Sequence, residues 1–174
     1  MYGTQSINMT TETFNQTILP ITDRLFRLSK SILKDEERAK DALQDVLTKL
    51  WEKRAEMNHV HNPVAFSLQM MRNYCLNNIR DYHETEEISE DIVFIEADSQ
   101  SKMEQKEAVK IIINFIEQLP ELQRTVMHLR DVEGLEIKEI AQITSLSENA
   151  VTVNLSRARQ QIRKKLITLN IKTA

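Results

Sequence analysis

Two glycines and three prolines across 174 residues leave few places where this chain can turn sharply. With Leu, Ile, Glu, Lys, Gln and Arg abundant, that scarcity argues for an all-α protein. Cysteine is nearly absent too. The single Cys75 excludes an internal disulfide and fits a reducing, cytoplasmic setting. No apolar run approaches the length needed to span a bilayer, and the polar N-terminus lacks a signal-peptide pattern, so the expectation is a cytoplasmic protein without direct membrane insertion. Chemistry is equally sparse. His59 and His61 share a loop with no cysteine or acidic partner nearby, which leaves a metal ligand set incomplete. Nothing assembles a nucleophile, base and orienting group at useful spacing. The reading is therefore no enzyme, no cofactor and no metal.

What the chain does have is segregated charge. Residues 1 to 83 carry 11 basic and 10 acidic side chains, residues 84 to 107 carry 2 and 9, and residues 108 to 174 carry 10 and 7. An acidic connector thus separates two helical units, and the length suits two small domains. The expected division is a disordered N-terminus over 1–12, a helical unit over 13–83, the acidic linker over 84–107, and a second helical unit over 108–174.

The most informative stretch runs from Gly134 to Lys165. Gly134 suits the end of one helix, and Ile137, Ile140, Ala141 and Ile143 form the buried stripe of the next. Ser145, Leu146 and Ser147 make a turn, with Ser147 placed to cap a helix beginning at Glu148. At 100° per residue, Val151, Leu155, Ala158, Ile162 and Leu166 share one side of that helix. The other side collects Thr152, Val153, Ser156, Arg157, Gln160, Arg163 and Lys164. Small side chains followed by cations suit a DNA groove, since short residues admit base edges and Arg and Lys reach guanine or phosphate.

Upstream, apolar positions from Phe14 to Leu33 predict a helix disturbed at Pro20, and Asp35 is placed to cap the next. Over Glu36 to about Glu56, Ala39, Ala42, Leu43, Val46, Leu47, Leu50 and Trp51 face a core. Asp41, Gln44, Asp45, Thr48 and Glu52 form an acidic strip opposite. The loop from Arg54 to Asn62 leads to Pro63, which opens a helix burying Val64, Leu68, Met71, Cys75 and Ile79. Gln69, Asn73, Asn77 and Arg80 share a separate face whose amides and cation suit nucleic acid. The linker is acidic apart from an apolar patch, Ile92 to Ile95. Periodicity resumes from Val109 to Leu119, and a helix over Glu121 to Val132 delivers the chain to Gly134.

In this order the segments AKDALQDVLTKLWEKR at 39–54, NPVAFSLQMMRNYCLNNIR at 62–80 and LPELQRTVMHLRDVEGLEIKEIAQITSLSENAVTVNLSRARQQIRKKL at 119–166 resemble the extracytoplasmic-function, or group IV, sigma factors of bacterial RNA polymerase. The resemblance implies two helical domains joined by the acidic linker, the second ending in a helix-turn-helix. It implies core polymerase, promoter DNA and an anti-sigma factor as partners. Asp41, Gln44, Asp45 and Thr48 then match the strip that meets core polymerase. Asn62, Gln69, Asn73, Asn77 and Arg80, with the 54–62 loop, match the minus-ten element face. Thr152, Val153, Ser156, Arg157, Arg159, Arg163 and Lys164 match the minus-thirty-five face, although many members carry arginine where Thr152 stands. The linker matches a connector that enters the polymerase channels. A helix-turn-helix regulator that is not a polymerase subunit is the alternative, and it would need a ligand pocket, dimer interface or phosphoacceptor domain in its N-terminal half.

Overall fold

The computed structural model describes residues 9–85 and 111–168, and every regular element among them is helical. Thr10 accepts the amide of Thr13 at 3.2 Å and starts α1, Thr11–Thr17. Pro20 has no amide proton and a fixed φ, so the chain passes through a 3-10 turn at Leu19–Ile21 before α2, Thr22–Leu33. Lys34 ends α2 in the left-handed region at φ 58°, and Asp35 caps α3, Glu36–Glu52, by accepting the Arg38 amide at 2.9 Å. After a 3-10 turn at Glu56–His59, α4 runs Pro63–Thr85. Helix α5 is described over 111–117. Helix α6, Glu121–Met127, opens into a π-turn at His128–Val132 and stops at Gly134, φ 70°. Helices α7, Ile137–Thr144, and α8, Glu148–Thr168, complete the chain.

Both helical regions are present, but they share one core. A single buried cluster runs from Met9, Phe14 and Leu25 through Leu50, Leu68 and Met71 to Val126, Ile140, Val151 and Leu155. Helix α6 lies on α2, and α7 lies on α4. A second cluster joins Leu119 to Ala158, Ile162 and Leu166 of α8. The charges at the junction are as tightly placed as the apolar groups. Glu133, with a side chain only 2% exposed, accepts from Arg24 Nε at 3.1 Å and Arg27 Nε at 2.8 Å. Arg124, 5% exposed, donates to the carbonyls of Ser31 at 2.7 Å and Ile32 at 3.3 Å, orphan acceptors at the end of α2.

Three expectations change. Met9 is buried and its amide donates to Asn58 Oδ1 at 2.6 Å, so order begins before residue 13. Trp51 is not a core anchor but is 37% exposed, because it falls at the margin of the α3 apolar arc. It meets Phe14 edge-on at 5.2 Å and carries the Arg54 guanidinium on its ring at 4.1 Å. Helix α4 also reaches Thr85, past the expected boundary at 83. Residues 1–8, the acidic segment from 86, the Ile92 to Ile95 patch and Val109 lie outside the described residues.

Burial pushes the Glu133 carboxyl upward, but the hydrogen bond and charge of Arg27, the hydrogen bond of Arg24 and the charge of His128 outweigh it and hold it below the usual range. His128, with Nε2 at 3.3 Å from Glu133, is lowered from 6.5 chiefly by burial and further by Arg27, while Glu133 pulls the other way. A histidine lowered on folding contributes stability that is full above its unfolded pKa and is lost as pH falls through the folded one. Glu133 obeys the same sign in a window below 4.5. Thermal melts at pH 7 and about pH 5.5 should therefore show a larger loss for wild type than for His128→Gln; equal losses would remove His128 from the balance.

Candidate nucleic-acid interface

The helix-turn-helix is set by two serines. Ser145 adopts φ 57°, which turns the chain out of α7, and Leu146 donates back to the Ala141 carbonyl at 3.1 Å. Ser147 Oγ then accepts the Ala150 amide at 3.2 Å and caps α8. Val151, Leu155, Ala158, Ile162 and Leu166 are all buried, so the outward side is fixed. Thr152, Val153, Ser156, Arg157, Arg159, Arg163 and Lys164 are exposed on it. Arg157, Arg163 and Lys164 form no ion pair among the described residues. Arg159 differs: its Nε donates to Asp131 at 3.3 Å and its Nη2 to the same carboxylate, and this hydrogen bond raises its pKa. An Arg159 phosphate contact would have to compete with the π-turn. Lys165, half-buried, likewise has partners within the chain, its ammonium meeting Gln118 and the Phe115 ring.

On α4, Gln69, Asn73 and Asn77 recur at one-turn intervals and line a groove of about 290 Å³. The structure adds Lys49, Lys53, Phe66, Met70 and Tyr74 to its walls. Two ammonium groups, three amides and two aromatic rings around one concavity supply what a single nucleic-acid strand needs: charge for phosphate, amides for base edges and faces for stacking. Lys49 Nζ lies 4.4 Å from the Tyr74 ring centre. Arg80 is exposed beside Asp81 at 3.5 Å, outside the groove lining. Asn62 plays a structural part, since its Oδ1 accepts the Ala65 amide at 3.0 Å at the start of α4. The 54–62 loop is pinned by buried Met57 and by the Asn58 bond to Met9.

The α3 strip is exposed at Asp41, Gln44, Asp45 and Thr48. Asp45 accepts from the Tyr74 hydroxyl, and that bond, with some burial, pushes the phenol up to about 12. Tyr74 therefore stays protonated, and Asp45 stays fixed between the strip and the groove. Burial pushes the Cys75 thiol up to about 12 as well, which makes it unreactive at neutral pH. Among the described residues there is no grouping of three or more metal-ligating side chains, and no helix is long and apolar enough to cross a membrane.

Comparison with known proteins places two family models on this chain. The model described as sigma-70 region 2 matches residues 21–85, and that described as sigma-70 region 4 matches residues 110–162. The ECF RNA polymerase sigma factor SigM of Bacillus subtilis is 26% identical over 148 residues, covering 80% of this chain and 86% of that protein. Among solved structures, the sigma factor RpoE in complex with the anti-sigma factor NepR from Bartonella quintana matches with a TM-score of 0.70 at 21% identity, over 90% of this chain and 98% of that one. CnrH in complex with the cytosolic domain of CnrY matches with a TM-score of 0.64 at 18% identity, over 91% and 90%. At those identities the structural likenesses speak for the fold.

Proposed function

The chain belongs to the extracytoplasmic-function sigma factor family, whose work is in transcription and is not enzymatic, and from that membership we propose that it binds core RNA polymerase, recognises promoter DNA and promotes its opening. The observation that carries the reading is the pairing of a sigma-70 region 2 match bearing the α4 groove with a region 4 match bearing the exposed face of α8. Residues 13–83 form the polymerase and minus-ten unit, residues 108–174 the minus-thirty-five unit, and residues 84–107 the acidic connector. Asp41, Gln44, Asp45 and Thr48 meet polymerase. Gln69, Asn73 and Asn77, joined by Lys49 and Lys53, hold the displaced minus-ten strand, with Arg80 on the flank and Asn62 shaping the loop. Thr152, Val153, Ser156 and Arg157 read the minus-thirty-five element, with Arg159, Arg163 and Lys164 toward phosphate. Because RpoE was solved with the anti-sigma factor NepR, an anti-sigma protein is proposed as the regulating partner in the cytoplasm.

The reading is tested by co-purifying the full chain with core RNA polymerase: stable, stoichiometric association supports it, and no association refutes it. Opening DNA requires breaking pairing and stacking worth a few kcal/mol per base, so capture of an extruded base has to compensate. Asn73→Ala should therefore lower permanganate reactivity of the opened region about tenfold while changing closed-complex affinity far less. Equal losses in both measurements would take Asn73 out of the melting step.

A further inference from the structure

The outward side of α8 changes chemistry along its length. From Ser156 and Arg157 onward it offers hydrogen-bond donors, whereas the second turn of the helix, just before them, offers carbon. Thr152 Oγ1 donates back to the Glu148 carbonyl at 2.9 Å, so the hydroxyl proton is used within the helix and the γ-methyl is the group left for a ligand. Val153 is 37% exposed and is the one large apolar side chain exposed in the first half of α8. Asn154, the amide that follows, is half-buried and its Nδ2 donates to the Ala150 carbonyl at 2.8 Å.

Packing does not ask for this pair. Val151, 0% exposed, and Leu155, 6% exposed, fill the core side of the turn, and Thr152 and Val153 lie on the exposed side. Two adjacent β-branched residues lose side-chain freedom in a helix and are poor choices where no core contact compensates. A local preference broken at exposed positions of a binding face points to a functional demand. In the major groove that demand has a natural object, because thymine alone presents an apolar group there, its C5 methyl. Consecutive Cα atoms lie about 3.8 Å apart and stacked base pairs about 3.4 Å, so neighbours in the chain can meet methyls on neighbouring steps.

We propose that Thr152 and Val153 select A·T pairs at two adjacent steps of the minus-thirty-five element by apolar contact with thymine methyls, on either strand, and leave hydrogen-bond readout to Ser156 and Arg157. The proposal rests on the assignment of the α8 face to DNA made above. It predicts a preference carried by shape and methyl groups rather than by donors in this turn of the helix.

The test uses holoenzyme assembled from the full chain and core RNA polymerase, on a minus-thirty-five element that it selects from random DNA. Each thymine is replaced singly by deoxyuridine, which removes the methyl and keeps every hydrogen-bonding group, and closed-complex affinity is titrated. Uracil should weaken binding about fourfold at each of two adjacent pairs, the effect of one buried methyl, and far less elsewhere. Thr152→Ser should erase one penalty and Val153→Ala the other. Thr152→Val, which keeps the methyl and loses the hydroxyl, should keep both. Methyl readout is overturned by selected DNA without adjacent A·T pairs, by uracil accepted without loss, by penalties that survive both truncations, or by Thr152→Val behaving as Thr152→Ser does. A chain that ignores core polymerase but selects DNA alone with the same two penalties would uphold the proposal and remove the sigma reading, and a transcribing holoenzyme without the penalties would do the reverse. A chain that selects no DNA in either form overturns both.

Discussion

Replacing Asp41 and Asp45 by lysine is expected to lower affinity for core RNA polymerase about a hundredfold, near 3 kcal/mol, with the fold retained. Both carboxylates lie on the exposed side of α3, opposite Ala39, Ala42, Val46 and Leu50, so reversal changes the sign of a surface without disturbing the core. Steering toward an electropositive partner would then become repulsion, and the loss should shrink as salt rises. Asp45 has one internal duty, accepting the Tyr74 hydroxyl. Asp45→Asn keeps that acceptor and removes only the charge, so it separates the two roles. Competition between labelled wild type and each variant for core enzyme measures the effect. Full competition by the double lysine variant would move the polymerase contact off α3.

The second large effect divides the α8 face. Arg157 lies one turn after Val153, where a side chain can reach base edges once the N-terminal turns of α8 enter the major groove, and it forms no ion pair among the described residues. Arg157→Ala should cost roughly 1 to 3 kcal/mol on the preferred minus-thirty-five sequence and relax discrimination at one or two positions. Lys164, nearly two turns farther on, should behave as a phosphate anchor. Its truncation should weaken binding about equally on all sequences and lower the salt slope by about one. Titration of holoenzyme against single-base variants at several salt concentrations distinguishes them. Uniform loss for Arg157→Ala would shift reading toward Thr152 and Ser156.

The parts legible in the sequence were those that repeat locally. The five-residue stripe of α8 is buried throughout because a helix against a core imposes a 3.6-residue period wherever it occurs. Asp35, Pro63, Gly134 and Ser147 act at the ends where cap and turn chemistry puts them. Trp51 departs from the expected burial because an apolar arc defined by periodicity has no sharp edge. The junction of the two regions was hidden for a different reason. Arg24 and Arg27 find Glu133 more than a hundred residues away, and Arg124 finds the end of α2 at a separation of 92 and 93. No short-range pattern records such pairings, and a lone arginine in an amphipathic helix looks solvated until its neighbour is known. Lys49, in the last turn of α3, and Lys53, its C-cap, stand four residues apart and join the groove only because α3 lies beside α4. The amides of α4 were visible as a face, whereas the aromatic and cationic walls required tertiary structure.

The central claim is that this chain confers promoter selection on RNA polymerase, and run-off transcription with purified core enzyme tests it most directly. A promoter selected from random DNA by the holoenzyme should yield transcripts of defined length only when core enzyme and this protein are both present. Scrambling either the minus-ten or the minus-thirty-five element should abolish them. Promoter binding by the protein alone, with no transcript from core enzyme under any template, would contradict the account and leave a helix-turn-helix regulator in its place.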